Sequence, residues 1–246
     1  MKKISLLVPA LLLAACGNNP PVPDWQMNAQ SSIERSTAAY MSGNARIEAA
    51  EYQRAREALA STGKVDLMIR AELIRCAAHV AALAYDDCPG YAKLAQDASP
   101  ADRAYADYLA GRATAADAAL LPEQHRAVAA AIAATPPSAG AVPAAGTGLA
   151  ASSGAPFDSG ADVAAANAAH AIADPLSKLV ASGVLLRAGK ASPQTLADAV
   201  DTASAQGWRR PLLAWLGVQA MRAEKSGDDA EAQRIKRRIA LVGDKP

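Results

Sequence analysis

Alanine supplies about a quarter of the 246 residues, and this is the feature that most restricts what the chain can fold into. Alanine has the highest helix propensity of any residue, because it loses no side-chain entropy in a helix and buries no polar group. Its single methyl also lets neighbouring helices approach closely. Alternating runs of Val, Ile, Thr and Tyr, the pattern of a half-buried strand, do not occur. Hydrophobic residues make up 51% of the chain but aromatics only 4%, so any core is built from small aliphatic side chains. The expected fold class is all-α.

Helix punctuation supports this. Gly43, Gly63, Gly189, Gly207, Gly227 and Gly243 each follow a helical pattern, where a left-handed residue ends a helix. Ser99-Pro100, Asp174-Pro175, Ser192-Pro193 and Arg210-Pro211 mark starts, with proline at the first helical position and usually a capping residue before it. The spacing predicts helices over 24–42, 44–61, 65–85, 89–97, 100–110, 122–134, 161–173, 175–188, 193–206, 211–226 and 229–242. The third is apolar on most sides and so expected to be central. Glu72, Arg75 and His79 occupy its remaining strip and are expected to be solvated. In the last, Asp228 followed three residues on by Glu231 forms a capping-box pattern, and Ala232, Ile235, Ile239 and Val242 form the apolar stripe.

Residues 135–156, TPPSAGAVPAAGTGLAASSGAP, carry no charge and consist almost wholly of Pro, Gly, Ala, Ser and Thr, which predicts a flexible linker. Phe157, the only phenylalanine, stands at its end. The expected organisation is a signal peptide over 1–15, a modified cysteine and short tether over 16–23, a helical domain over 24–134, a linker over 135–160 and a C-terminal helical domain over 161–243.

The N-terminus has the layout of an export signal. Lys2 and Lys3 precede an apolar run from Ile4 to Leu13, which closes on Ala14, Ala15 and Cys16. The run is well short of the ~20 residues that span a bilayer, and Pro9 interrupts it. Leu13-Ala14-Ala15-Cys16-Gly17 resembles the lipobox of bacterial lipoproteins. That resemblance implies cleavage before Cys16, acylation of Cys16 and, with Gly17 in the next position, an outer-membrane location facing the periplasm. Two or more acyl chains hold a protein at a membrane, where one is marginal. The tether from Gly17 to Pro23 has three prolines in seven residues and spans at most about 25 Å, so the first helix is expected near the membrane surface.

Cys76 and Cys88 are then left in an oxidising compartment. About nine helical residues rise roughly 13–14 Å from Cys76, and a returning loop covers about 10 Å. A Cys76–Cys88 disulfide is expected if that loop folds back, the alternative being two buried thiols. Loss of Lys2 and Lys3 with the signal takes the formal net charge from +1 to about −1, which is no footprint for nucleic acid.

The later glycines fall roughly 16–20 residues apart, so two helices make a unit of about 36 residues, near solenoid repeat periods. Gly43, Tyr52 and Ala55, and again Trp215, Gly227-Asp228 and Ala232, match part of the tetratricopeptide pattern. The chain loosely resembles such repeats over about half its length. That implies helical hairpins in a tetratricopeptide-like or irregular α-solenoid array.

The chemistry-bearing residues are few. His79, His125 and His170 lie in different predicted helices without a ligand partner three or four residues on, and no cofactor or metal site is expected. Neither G-x-S-x-G nor a phosphate-cradling glycine loop occurs. Asp86-Asp87 reads as the start of a turn before Cys88-Pro89. The basic run Arg234 to Arg238 ends a helix that Asp228, Asp229 and Glu231 begin, which complements the helix dipole. Trp208, Trp215 and Tyr91 read as core in a chain so rich in alanine. The expectation is a non-enzymatic, lipid-anchored scaffold that engages another envelope protein, with a binding module for a cell-wall or lipid ligand as the alternative.

Overall fold

The computed structural model describes residues 21–134 and 160–243. The signal segment, Cys16, Phe157 and the expected linker up to residue 159 lie outside the described residues. The protein is all-α. In order the helices are α1 Asp24–Ser42, α2 Ala45–Ala60, α3 Val65–Ala81, α4 Pro89–Ala92, α5 Pro100–Leu109, α6 Ala115–Ala118, α7 Glu123–Ala133, α8 Gly160–His170, α9 Pro175–Arg187, α10 Pro193–Ala205, α11 Arg209–Ser226 and α12 Asp229–Gly243.

The punctuation works through specific contacts. Gly43 and Gly227 sit in the left-handed region, φ +86° and +75°, and close α1 and α11 so that each reverses into the next helix. The Ser99 hydroxyl accepts the Asp102 amide at the start of α5, and the Asp102 carboxylate reaches back to the Ser99 amide. Asp174 caps α9 by accepting the Ser177 amide at 2.7 Å. Asp228 accepts the Glu231 amide, but the Glu231 carboxylate takes two 2.6 Å bonds from Arg234 rather than closing a capping box.

Several boundaries differ from the sequence expectation. The third helix stops at Ala81 rather than Tyr85. Leu83 turns to φ +60°, and the Ala84 amide returns to the His79 carbonyl, which sends the chain back toward Cys76. The predicted helix over 89–97 is broken into α4 and a 3-10 turn at Ala95–Asp97, and α6 was not expected. Helix α11 begins two residues before Pro211, whose missing N–H falls in the first turn, where amides have no intrahelical partner. Gly243 is the last residue of α12 rather than a residue beyond it.

Helices α1 and α2 form one hairpin, and α11 and α12 another. Helix α3 is central, as expected, with Ile69, Leu73, Cys76 and Val80 buried. It packs against α1, α2 and α5 on one side of the sequence and α9 on the other, while α1 touches α11. Repeats in a solenoid contact only their neighbours, so these contacts close the array around α3 instead of extending it in file. One core joins both halves, with Tyr108, Leu109 and Leu121 packed in the same cluster as Leu179, Leu185, Leu216 and Trp215. The segment 135–159 therefore divides the chain but not the core.

The junction between halves is specific. The Trp215 indole N–H donates to the Ala81 carbonyl at 3.1 Å, the Arg210 guanidinium to the Tyr40 carbonyl at 2.7 Å, and the Tyr85 hydroxyl to the Gly183 carbonyl at 2.8 Å. Arg187 reaches Asp87 at 2.5 Å and lies over the Tyr85 ring. Gly183 permits the closest approach, because a Cβ there would overlap the Val80 carbonyl.

His125 is buried beside Tyr108, with Nδ1 3.1 Å from the hydroxyl. Burial pushes its pKa down to about 4, against a weak opposing effect of Asp174. The unfolded chain holds a proton on His125 below about 6.5, where the folded chain does not. The associated stability is thus fully present above pH 6.5 and lost progressively as pH falls to about 4. Wild type is expected to lose about 2–3 kcal/mol across that window at 1.36 kcal/mol per pH unit. His125→Gln should flatten this part of the profile in urea unfolding; an unchanged profile would assign the acid sensitivity to other groups.

Candidate functional site

The polar strip of α3 is not solvated, contrary to the sequence expectation. Glu72 and His79 are buried. The α1–α2 hairpin covers one edge of α3, and the loop after Ala81 covers another. A buried carboxylate needs a partner, since its desolvation costs several kcal/mol. Glu72 takes an ion pair from Arg56, and Glu48 accepts the Arg75 Nε–H at 2.9 Å. Glu51, also buried, accepts from Arg35 at 2.9 Å and Arg54 at 2.5 Å. Gly90 leaves room for the Glu72 carboxylate, which a Cβ there would overlap.

His79 is held on two sides. Its Nδ1 lies 2.7 Å from Asp86 Oδ2. That hydrogen bond, ahead of the opposing effect of burial, holds Asp86 below the ordinary carboxylate range. An ionised Asp86 can only accept, so Nδ1–H is the donor in this contact. The Tyr40 ring stacks on His79, with centroids 4.4 Å apart and planes 12° apart, and Arg210 lies over Tyr40 at 4.3 Å. Arg75 similarly covers the Tyr52 ring at 5.0 Å. Burial, then the neighbouring Arg210 in the opposite sense, brings the Tyr40 hydroxyl to about 12. Burial first, and Glu72 second, push Tyr52 up further.

Among the described residues, His79 Nε2 is buried without a hydrogen-bond partner, while Tyr52 Oη lies against the Glu72 carboxylate. Tyr52 and His79 line a shallow cleft between α1, α2 and α3, together with Glu48, Arg75 and Ile74. Ile74 is 41% exposed at this cleft. A second shallow cleft is lined by Glu72, Arg75, Cys76, His79, Asp86 and Cys88. Arg75 and His79 border both. The first cleft thus carries a paired guanidinium, a phenol and an imidazole nitrogen. A group that reaches Nε2 would satisfy a buried atom whose unpaired burial costs about 1–3 kcal/mol.

Cys76 and Cys88 lie at disulfide distance, with Cα atoms 5.4 Å apart. The other sequence candidates are dispersed. His170 bonds Asp198 at the surface, at 2.9 Å. In the basic run, Arg234 pairs with Glu231 and Lys236 with Glu224. Trp215 is fully buried, while Trp208 and Tyr91 pack half-buried against the core. The sequence carried one signal for the cluster that was missed. His79 follows Cys76 by three residues, one face of a helix, and Asp86 precedes Cys88 by two.

No helix among the described residues is long and apolar enough to cross a membrane. No protein-family model, no curated protein and no solved structure matches the chain. What the fold defines is the class: an all-α protein whose helices close around α3 and leave a polar cleft beside it.

Proposed function

We propose that the chain is a lipid-anchored, periplasm-facing helical scaffold that engages another protein of the cell envelope. The distribution of its three cysteines carries this reading. Cys16 closes an export-like signal, and the two remaining cysteines lie paired in the folded body, which suits an oxidising compartment. The first helix starts at Asp24, eight residues on from Cys16, so an acylated Cys16 keeps the body near the bilayer. Helical arrays present broad, rigid surfaces, which suits an adaptor. Cys16→Ser is expected to abolish incorporation of labelled palmitate and to release the protein from membranes. Persistent labelling would overturn the anchor.

The cleft favours one second reading, a binding module for a polar cell-wall or lipid ligand, since His79 holds an unpaired atom beside it. Cross-linking in cells, followed by mass spectrometry of the solubilised complex, separates the two. One abundant envelope partner supports the scaffold; the protein alone with cell-wall fragments supports the binding module.

A further inference from the structure

We propose that Cys76, Asp86 and Cys88 bind a zinc ion when the Cys76–Cys88 pair is reduced, with His79 as the residue that fixes the Asp86 carboxylate. The three ligand atoms, two sulfurs and one carboxylate oxygen, lie within 4.8 Å of one another. A tetrahedral zinc site with bonds of about 2.0–2.3 Å needs neighbouring ligand atoms roughly 3.3–3.8 Å apart, so the two sulfurs, joined in the disulfide, must move apart once that bond is reduced.

The backbone presents these groups from two directions. Helix α3 supplies Cys76 and, one turn on, His79. The loop after Ala81 supplies Asp86 and Cys88, and it reaches them through Asp87 and Cys88 at φ +52° and +51°. Asp86 is oriented twice: Oδ1 accepts the Cys88 amide at 3.2 Å, and Oδ2 meets His79 Nδ1 at 2.7 Å. A carboxylate ligand steadied by a histidine reverses the familiar histidine ligand steadied by a carboxylate, and serves the same purpose.

The donor set selects the metal. Thiolates are soft ligands that suit zinc, whereas calcium and magnesium require six or more oxygens or ordered water. Three protein ligands leave the fourth position to water. The second cleft lies on that side, and His79 lines it with an Nε2 that is buried and unpaired. Arg75 and Glu72 line the same cleft, and each is already ion-paired, with Glu48 and Arg56 respectively.

The reaction balances with a dithiol as reductant. The dithiol gives two electrons and two protons, the Cys76–Cys88 bond breaks into two thiols, and the dithiol closes to its own disulfide. Zinc then forms two Zn–S bonds and one Zn–O bond, and the two thiol protons pass to solvent. Either the covalent bond or the metal would hold the loop to α3, so the same strap persists in both redox states. This inference does not depend on the lipid anchor.

Cobalt(II) tests it, because thiolate coordination gives a sulfur-to-cobalt band in the near ultraviolet. The full chain is reduced with a dithiol, desalted without oxygen and titrated with cobalt. The expected result is the band at one cobalt per chain, its loss on adding zinc, and no band in the oxidised chain. His79→Gln should retain the band but weaken cobalt binding about 10–100-fold, the range for lost outer-shell support. A reduced wild-type chain without the band overturns the site. Asp86→Asn that binds cobalt as tightly as wild type overturns the ligand assignment. The wild-type comparison of oxidised and reduced chains stands even if a variant fails to fold.

Discussion

Trp215→Ala is expected to destabilise the protein by about 3–5 kcal/mol, the range for removing a large aromatic from a packed core. Trp215 is the largest fully buried side chain, and it sits in α11 where that helix meets the end of α3. The substitution removes an indole from a core of alanines and leucines that cannot expand to fill the space. It also leaves the Ala81 carbonyl without its 3.1 Å donor. Trp215→Phe separates the two effects, since it keeps most of the ring volume and loses the donor; about 1–3 kcal/mol is expected from the unpaired carbonyl. Urea unfolding with the midpoint and slope compared between variants measures both. A cost below about 1 kcal/mol for the alanine variant would mean that α11 is not anchored through this residue.

Gly183→Val should be almost as damaging, about 3 kcal/mol, at the upper end of the overpacking range. Its cause is opposite, too much atom rather than too little. Gly183 lies mid-way along α9, and a Cβ there meets the Val80 backbone carbonyl. A flexible side chain can swing away, but the α3 backbone cannot move without disturbing everything packed on it. Helices α3 and α9 must therefore separate, which also pulls the Gly183 carbonyl from the Tyr85 hydroxyl. The Tyr85 contact gives the second readout. In Gly183→Val combined with Tyr85→Phe, the loss should be less than the sum of the single losses, because both act on one junction. Strict additivity would show that the glycine is needed for its own helix and not for the α3–α9 approach.

The site was legible only in pieces. His79 looked like a surface residue because it shares a narrow strip with Glu72 and Arg75 on an otherwise apolar helix. A strip of charges is solvated if nothing covers it, and periodicity along α3 says nothing about what covers it. The covering groups come from α2, through Arg56 and Glu48, and from the loop after Ala81, through Asp86. Their arrival depends on the crossing of two helices and on a turn at Leu83, neither of which a helical repeat reveals. The Cys76 and His79 spacing was visible in the sequence, as was Asp86 before Cys88; only the folded loop unites the two pairs.

By itself the sequence determined the helices and most of their ends, because propensity, capping and left-handed glycines are local properties. Ser99, Asp174, Gly43 and Gly227 act within a few residues of their position, so their roles could be read in order along the chain. The tertiary structure alone decided that the halves on either side of 135–159 share one core, and that Glu72 and His79 of α3 are buried beside it. The physical reason is the same in both cases. Alanine-rich helix faces look alike from the sequence, so which face meets which is set by a few unlike residues: the bulk of Trp215, the missing side chain of Gly183, and buried carboxylates that must each find a cation.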